Sequence, residues 1–364
     1  MNFTRRSAMA GGLALAATAS PVVARQPNSA IDAEAASFLA TTRAPGLQVA
    51  MARNGTLGFV GAWGRADQAG APLTHDHRFR IASLSKPITA AAVMRLIETG
   101  RLTLDSTIFG PGSILGDRFG PTSGPLRALR VRHLLNHTAG GWTNDGRDPV
   151  FAHPDLDQRQ LIARTLAERP LEAAPGTRQS YSNFAYLILG RVIEQVTGEP
   201  YEGWVRRDVL SRCGAAGMRV GDRARGVGEV EYRALTIFDD PTAVDVRRMD
   251  ANGGWIASAR ELVGFVTAVD GTEGPGRILR PASARLMATG PFAGAAYGHG
   301  WQINQWDNWW HTGIIHGTAA FMCKTRSGYV MAALTNTGGP GSDVTLKLDQ
   351  MMWRMAAAIP GWRP

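Results

Sequence analysis

The sequence predicts an α+β fold in which an antiparallel sheet, flanked by N- and C-terminal helices, carries an inserted all-helical lobe. Strand-like segments with tight-turn signals gather near both ends of the chain, while the stretch from Gly100 to about Asp250 reads as helical patches joined by Pro/Gly-rich loops. At 364 residues the chain also exceeds the usual size of one domain. The first and last thirds are therefore expected to build one sheet. The expected organisation is a discontinuous sheet domain over 28–99 and 251–364, a helical lobe over 100–250, and an export signal peptide over 1–24.

The chain opens on Thr4-Arg5-Arg6-Ser7, an Ala/Gly/Leu-rich run from Ala8 to Ala19, and the small-residue site Val22-Val23-Ala24. This is the pattern of an export signal, which places the protein in the periplasm or outside the cell. The arginine pair points to the twin-arginine route; Ala8 stands where that signal usually carries phenylalanine, so the general secretory route stays open. The apolar run is short for a bilayer span and no cysteine adjoins the cleavage site, so no stable membrane insertion is expected.

Ala30 to Leu39 reads as a helix. Leu47–Ala52 and Leu57–Trp63 read as strands of a hairpin turning at Arg53-Asn54-Gly55. A short segment, Phe79–Ala82, leads into a run of apolar helix formers, Ile88–Ile97, with Pro87 in the first turn and Gly100 at the expected C-terminal cap. Leu161–Ala167 and the strongly periodic Ala185–Thr197 are the clearest helices of the lobe. Gly317–Cys323 and Tyr329–Thr335 flank Arg326-Ser327-Gly328 as a second hairpin, and Val344–Ala358 closes the chain as a helix.

Hydrophobic residues at 44%, charged residues at 19% and a mean hydropathy of -0.12 describe a soluble globular chain, neither disordered nor membrane-spanning. The formal charge is +9; the signal holds two arginines and no acid, which leaves +7. The arginines are scattered, so no nucleic-acid partner is expected. Two cysteines, Cys213 and Cys323, make no disulfide framework: Cys323 is expected as a buried free thiol, with one bridge left open.

The chemistry concentrates in three stretches. Ser83-Leu-Ser-Lys86 places a hydroxyl and an amine i, i+3 at the start of a helix, where the amine can reach the proton the hydroxyl must lose. Lysine occurs only three times, at 86, 324 and 347. Tyr181-Ser-Asn183 precedes another helix and offers a phenol for acid/base work and an amide that both donates and accepts. Trp309-Trp-His311-Thr312-Gly313-Ile314 reads as an edge-like strand whose glycine allows close backbone approach, and its N–H groups could complete an oxyanion hole with that of Ser83.

In this order, Ser83-x-x-Lys86, Tyr181-x-Asn183 and His311-Thr312-Gly313 resemble the three signatures of the serine β-lactamase and penicillin-binding protein superfamily. The class C branch, with its DD-carboxypeptidase and esterase relatives, fits best. It carries stretches like Arg132-His-Leu-Leu-Asn-His137-Thr-Ala-Gly140-Gly141, Leu189-Gly190-Arg191-Val-Ile-Glu194 and Gly253-Gly254-Trp-Ile-Ala-Ser258. The resemblance implies the β-lactamase/DD-peptidase-like fold, Ser83 as acylated nucleophile, Lys86 as its activator and Tyr181 as proton relay. It implies Asn183 as substrate-orienting amide, His311, Thr312 and Gly313 along the substrate strand, and the N–H of Ile314 as second oxyanion donor. It implies no metal and no cofactor. Histidine replaces the lysine of many β-lactamases at 311, so recognition of a substrate carboxylate is expected to be weaker or to depend on pH.

Bland readings stand beside these. Ser83, Tyr181 and Asn183 also suit caps and turns, and His311 a satisfied strand histidine. His133 and His137 stand i, i+4 but lack the glutamate of a metallohydrolase, and are expected to hold a loop. The tryptophans at 301, 306, 309 and 310 suit packing and cleft wall. No Gly-x-Ser-x-Gly elbow occurs. The expected function is an exported serine acyl hydrolase working through a covalent acyl-enzyme on a small-molecule or peptide amide or ester. A DD-carboxypeptidase or D-amino-peptidase-like enzyme leads, with carboxylesterase or β-lactamase as the alternative. A non-catalytic penicillin-fold binding or sensor module is the alternative from another class. Oligomeric state is not readable from the sequence.

Overall fold

The computed structural model describes residues 29–122, 124–234 and 240–362, so the export signal expected over 1–24 lies outside the described residues. The chain enters through helix α1 (Ser29–Thr42), then a hairpin of strands β1 (Gly46–Arg53) and β2 (Thr56–Gly64). Its turn, Asn54-Gly55, has both residues at positive φ (50° and 80°), the conformation that suits the twist of a two-residue hairpin loop.

The C-terminal third supplies β6 (Gln302–Ile303), β7 (Trp309–Ile315), β8 (Thr318–Lys324) and β9 (Tyr329–Thr335), which complete a six-stranded sheet in the order β2-β1-β9-β8-β7-β6. Its pairings are antiparallel, and β1 joins β9 from Leu47↔Thr335 to Arg53↔Tyr329. The two ends of the sequence thus meet in the middle of the sheet, as expected.

Both faces of this sheet are covered. Leu47, Val49 and Met51 of β1, with Phe321 and Met331, point to a core shared with α1 and the closing helix α11 (Val344–Ala358). Ala50, Ala52, Met322 and Leu334, at alternate positions, point to a second core on the opposite face. Burial on both sides explains why these strands read as near-continuous apolar runs.

The second core is capped by α2 (Ser85–Glu98) and by the helices of the middle region: α3 (Val131–Leu135), α4 (Pro149–Ala152), α5 (Gln158–Glu168), α6 (Asn183–Thr197), α7 (Tyr201–Asp208) and α8 (Val246–Gly253). Helices α9 (Ala259–Val269) and α10 (Pro281–Met287) follow. The middle region is not wholly helical: β4 (Arg219–Val220) pairs with β5 (Trp255–Ala257), which pairs with β3 (Phe79–Arg80) in a small second sheet. The segment expected as strand over Phe79–Ala82 stops at Arg80 because Ala82 turns out of extended geometry at φ 46°. Among the described residues no helix is long and apolar enough to cross a membrane. Cys213 and Cys323 are both free thiols, so the bridge left open by sequence is absent.

Candidate active site

Ser83 sits in a single 3-10 turn, Ala82–Leu84, that runs directly into α2. It caps nothing: the residue preceding α2 is Leu84, and no side chain bonds its first N–H groups. The left-handed φ of Ala82 is uncommon for a residue with a Cβ. Strand β7 packs against this turn so tightly that a Cβ on Gly313 would lie 2.1 Å from the Ile81 carbonyl oxygen and 3.1 Å from Leu84 Cδ1. Glycine at 313 is therefore a requirement of spacing.

Lys86, one turn along α2, is fully buried. Its Nζ lies 3.0 Å from Ser83 Oγ, 2.7 Å from Asn183 Oδ1 and 2.8 Å from the Asn252 carbonyl oxygen. Burial lowers its pKa to about 7, partly opposed by the negative charge of Asp148. As an ammonium, Lys86 has a hydrogen for each of three partners. As a neutral amine it keeps two N–H groups and one lone pair, and only Ser83 among the three has a proton to point at that lone pair. Loss of the proton thus turns the amine into a base aimed at the Ser83 hydroxyl.

The partners come from separate elements. Asn183 opens α6, after a Ser182 cap whose side chain accepts from Ala185 N, and its Nδ2 donates to Asp148 Oδ2 at 2.8 Å. The Asn252 carbonyl is presented by a kink in α8 at Asp250 (φ 18, ψ -91), whose carboxylate pairs with Arg191 of α6 at 2.6 Å. Gly190 lets the two helices approach, since a Cβ there would meet Ala251 Cβ at 2.8 Å.

Tyr181 lies on the other side of Lys86, its ring centroid 4.8 Å from Nζ. The residue is partly exposed, but its hydroxyl end is enclosed. That enclosure pushes the phenol pKa above its usual value, against a hydrogen bond with Ser83 that favours the phenolate. Tyr181 is therefore a neutral phenol at rest, and the free amine of Lys86 is the accessible base near neutrality.

His311 is buried and lies against Tyr297 and Tyr181. Its Nδ1 is 2.7 Å from the Thr312 carbonyl oxygen, which only accepts, so Nδ1 carries the hydrogen and Nε2 accepts from the Tyr297 hydroxyl at 3.1 Å. Burial, then the Lys86 charge, push its pKa down to about 3. Of the two expectations at this position, a neutral ring with both nitrogens occupied fits weaker carboxylate recognition rather than a pH-dependent cation. The bland reading of a satisfied strand histidine describes its bonding, although the residue does line the cavity.

His133 and His137 hold loops, as expected. His133 Nδ1 accepts from Arg130 N, and His137 Nδ1 accepts from Ser182 N at 3.2 Å beside the Tyr181 ring, centroid to centroid 4.3 Å. Of the two roles expected for the tryptophans, packing holds for Trp301 and Trp309, which are buried against each other, while among the described residues no tryptophan lines the cavity as cleft wall.

The cavity in front of Ser83 measures ≈ 430 Å³ and is bordered by Tyr181, Asn183, His311, Thr312 and Ile314. Phe151 of α4, Met249 of α8, Val244 and His316 also line it. Among the described residues, no carboxylate, ammonium or guanidinium lines it. Among the described residues, strand β7 pairs with β6 only at Trp309 and Trp310, and its outer edge from His311 to Ile315 has no strand partner. The structure thus brings all eight sequence-derived site residues together.

Sequence reasoning missed three contributors: Asp148, Tyr297 and the Asn252 carbonyl. Asp148-Pro149 does carry a helix-start signal, but nothing in it points to Asn183. Tyr297 and the kink at Asp250 have no local signature.

The family model described as Beta-lactamase matches residues 31–352. Esterase EstB of Burkholderia gladioli is 36% identical over 184 residues, which cover 47% of this chain and 45% of that protein, so the chain matches less than half of that relative. Penicillin-binding protein 4 of Amycolatopsis lactamdurans is 28% identical over 301 residues, 74% of each chain. The D-amino acid amidase from Ochrobactrum anthropi SV3, solved with L-phenylalanine amide, superposes with a TM-score of 0.75 at 23% identity, covering 91% of this chain and 97% of that one.

Proposed function

The chain belongs to the Beta-lactamase family, and from that premise we propose that it is a serine hydrolase whose nucleophile is Ser83, acting on an ester or uncharged amide through a covalent acyl-enzyme. One observation carries the reading: of the three groups bonded to Lys86 Nζ, Ser83 alone can give the free amine a proton. Ser83 Oγ attacks the substrate carbonyl as its proton passes to Lys86. The N–H groups of Ser83 and Ile314 hold the oxyanion, Asn183 and Thr312 orient the substrate, and the His311-Thr312-Gly313 edge forms the wall it lies along. As the intermediate collapses, the Tyr181 phenol protonates the leaving group and is reprotonated by the Lys86 ammonium. Water then releases the acyl group by the reverse sequence.

The lack of a guanidinium or ammonium among the described lining residues shifts the preferred substrate. A DD-carboxypeptidase product leaves as an amino acid with a free carboxylate, and β-lactams also carry one. With His311 neutral and no guanidinium or ammonium among the described lining residues, that charge would meet only the His316 imidazole and neutral donors such as Asn144 and Gln302. The esterase name of one relative supports the same choice. Export by the 1–24 segment remains part of the proposal, tested by N-terminal sequencing of protein recovered from the periplasm or medium.

The test is intact-mass detection of a fluorophosphonate adduct together with p-nitrophenyl ester turnover. Both are expected on the wild type and lost in Ser83→Ala, with ester hydrolysis exceeding D-Ala-D-Ala cleavage and nitrocefin turnover. An adduct that survives Ser83→Ala sinks the nucleophile assignment; D-Ala-D-Ala cleavage faster than ester hydrolysis sinks the substrate choice.

A further inference from the structure

Asp148 takes no part in the steps above, yet it is a carboxylate only 2% exposed, one residue ahead of α4. Both of its oxygens are committed: Oδ1 accepts from Val150 N at 2.9 Å, and Oδ2 accepts from Asn183 Nδ2 at 2.8 Å. Asn183 in turn accepts from Lys86 through Oδ1 at 2.7 Å. A continuous chain therefore runs from the α4 cap, through Asn183, to the amine beside Ser83.

We propose that Asp148 is a positioning residue for this site, whose carboxylate locks the Asn183 amide in the one orientation that presents an acceptor to Lys86. The proposal rests on the serine-hydrolase reading of Ser83 and Lys86.

An asparagine amide has two orientations that exchange its oxygen and nitrogen, and an isolated one can adopt either. A carboxylate only accepts. With Asp148 fixed by the α4 backbone, Asn183 must turn Nδ2 toward it, which leaves Oδ1 facing Nζ. The flipped amide would set oxygen against carboxylate and N–H against ammonium, two unfavourable contacts in a buried place. This matters for the reaction because the lone-pair argument holds only while Asn183 and Asn252 both offer acceptors.

Asp148 also acts by charge. The groups facing Lys86 from neighbouring elements are Tyr181 and Tyr186 of the α6 region, His137 after α3 and His311 of β7, and burial keeps all four neutral. Among the described residues, Asp148 is the one charged group acting on the amine. Its negative charge favours the ammonium, so its removal lets Lys86 lose its proton at lower pH.

The discriminating variant is Asp148→Asn. It keeps an acceptor for Val150 N, so α4 stays capped, but it turns an N–H toward Asn183 Nδ2. For a p-nitrophenyl ester, kcat is expected to fall about 10–100-fold. KM should change little, and the acidic limb of the kcat profile should move down by about one pH unit. The double variant Asp148→Asn/Asn183→Asp again sets a donor against an acceptor and puts a carboxylate directly on Lys86. Its acidic limb should lie above that of the wild type, the readout being the pH profile and not kcat because Asn183 also orients the substrate. Should Asp148→Asn not fold, Asp148→Ser keeps a good cap without the charge and reads out the same way.

Wild-type kcat and pH profile in a variant that merely melts earlier would reduce Asp148 to a helix cap and overturn the proposal. Absence of a fluorophosphonate adduct on the wild type is a different failure: it removes the reading of Ser83 itself, and the positioning role with it.

Discussion

Lys86 is buried with three partners and a pKa of about 7, far from its ordinary 10.5. Activity is therefore expected to rise with pH through about 7 as the free amine appears. Stability should follow in a calculable direction. Between about 7 and 10.5 the unfolded chain still binds the proton that the native protein has released, so native stability gains as pH rises across that window. Thermal melts of wild type and Lys86→Met should show the gap between them moving in favour of the wild type from pH 7 toward 10; a constant gap would mean that Lys86 titrates normally. Ser83, Lys86, Tyr181 and Asn183 were legible because each lies in a short motif at the head of a helix. Asp148 and Tyr297 were not, because their partners are 35 and 14 residues away and the contacts exist only after folding.

Strands and helices were legible where local chemistry decides them. Asn54-Gly55 and Gly328 mark the two hairpins by their positive φ, and Gly100 ends α2 in the same way. The short β3 and the kink in α8 were not, since tertiary packing sets both. The element that most constrains the site is β7. Gly313→Ala would force its Cβ into the Ile81 carbonyl and push the strand off the Ser83 turn. A displacement of about 1 Å at such a position is expected to lower kcat/KM by about 100-fold. Steady-state kinetics on the folded variant check this; activity within about twofold of wild type would show that the strand and the turn are not coupled.

At the scale of the molecule, the sheet separates two cores, and only one of them abuts the site. Met352 of α11 is fully buried in the core on the far face, with Leu348 and Met351. Met352→Ala should cost about 2–5 kcal/mol of stability, measured by denaturant unfolding, while kcat/KM of the folded protein stays at the wild-type value. A matching loss of activity would mean that the two faces of the sheet communicate. The discontinuous sheet itself was readable because strand texture occurs at both ends of the chain. Its pairing of β1 with β9, and the small β3-β5-β4 sheet behind it, depend on contacts the sequence does not display.

The parts of the cleft differ in what they are made of. Behind the cleft, β7 is seated on the Ser83 turn by main chain pressed against main chain at Gly313, a contact that point mutation can damage but hardly reshape. Phe151, Val244 and Met249, by contrast, join the lining as apolar residues from outside the strand. Divergence toward bulkier or smaller acyl groups, in nature or under laboratory selection, should therefore accumulate at those three positions and leave Gly313 untouched.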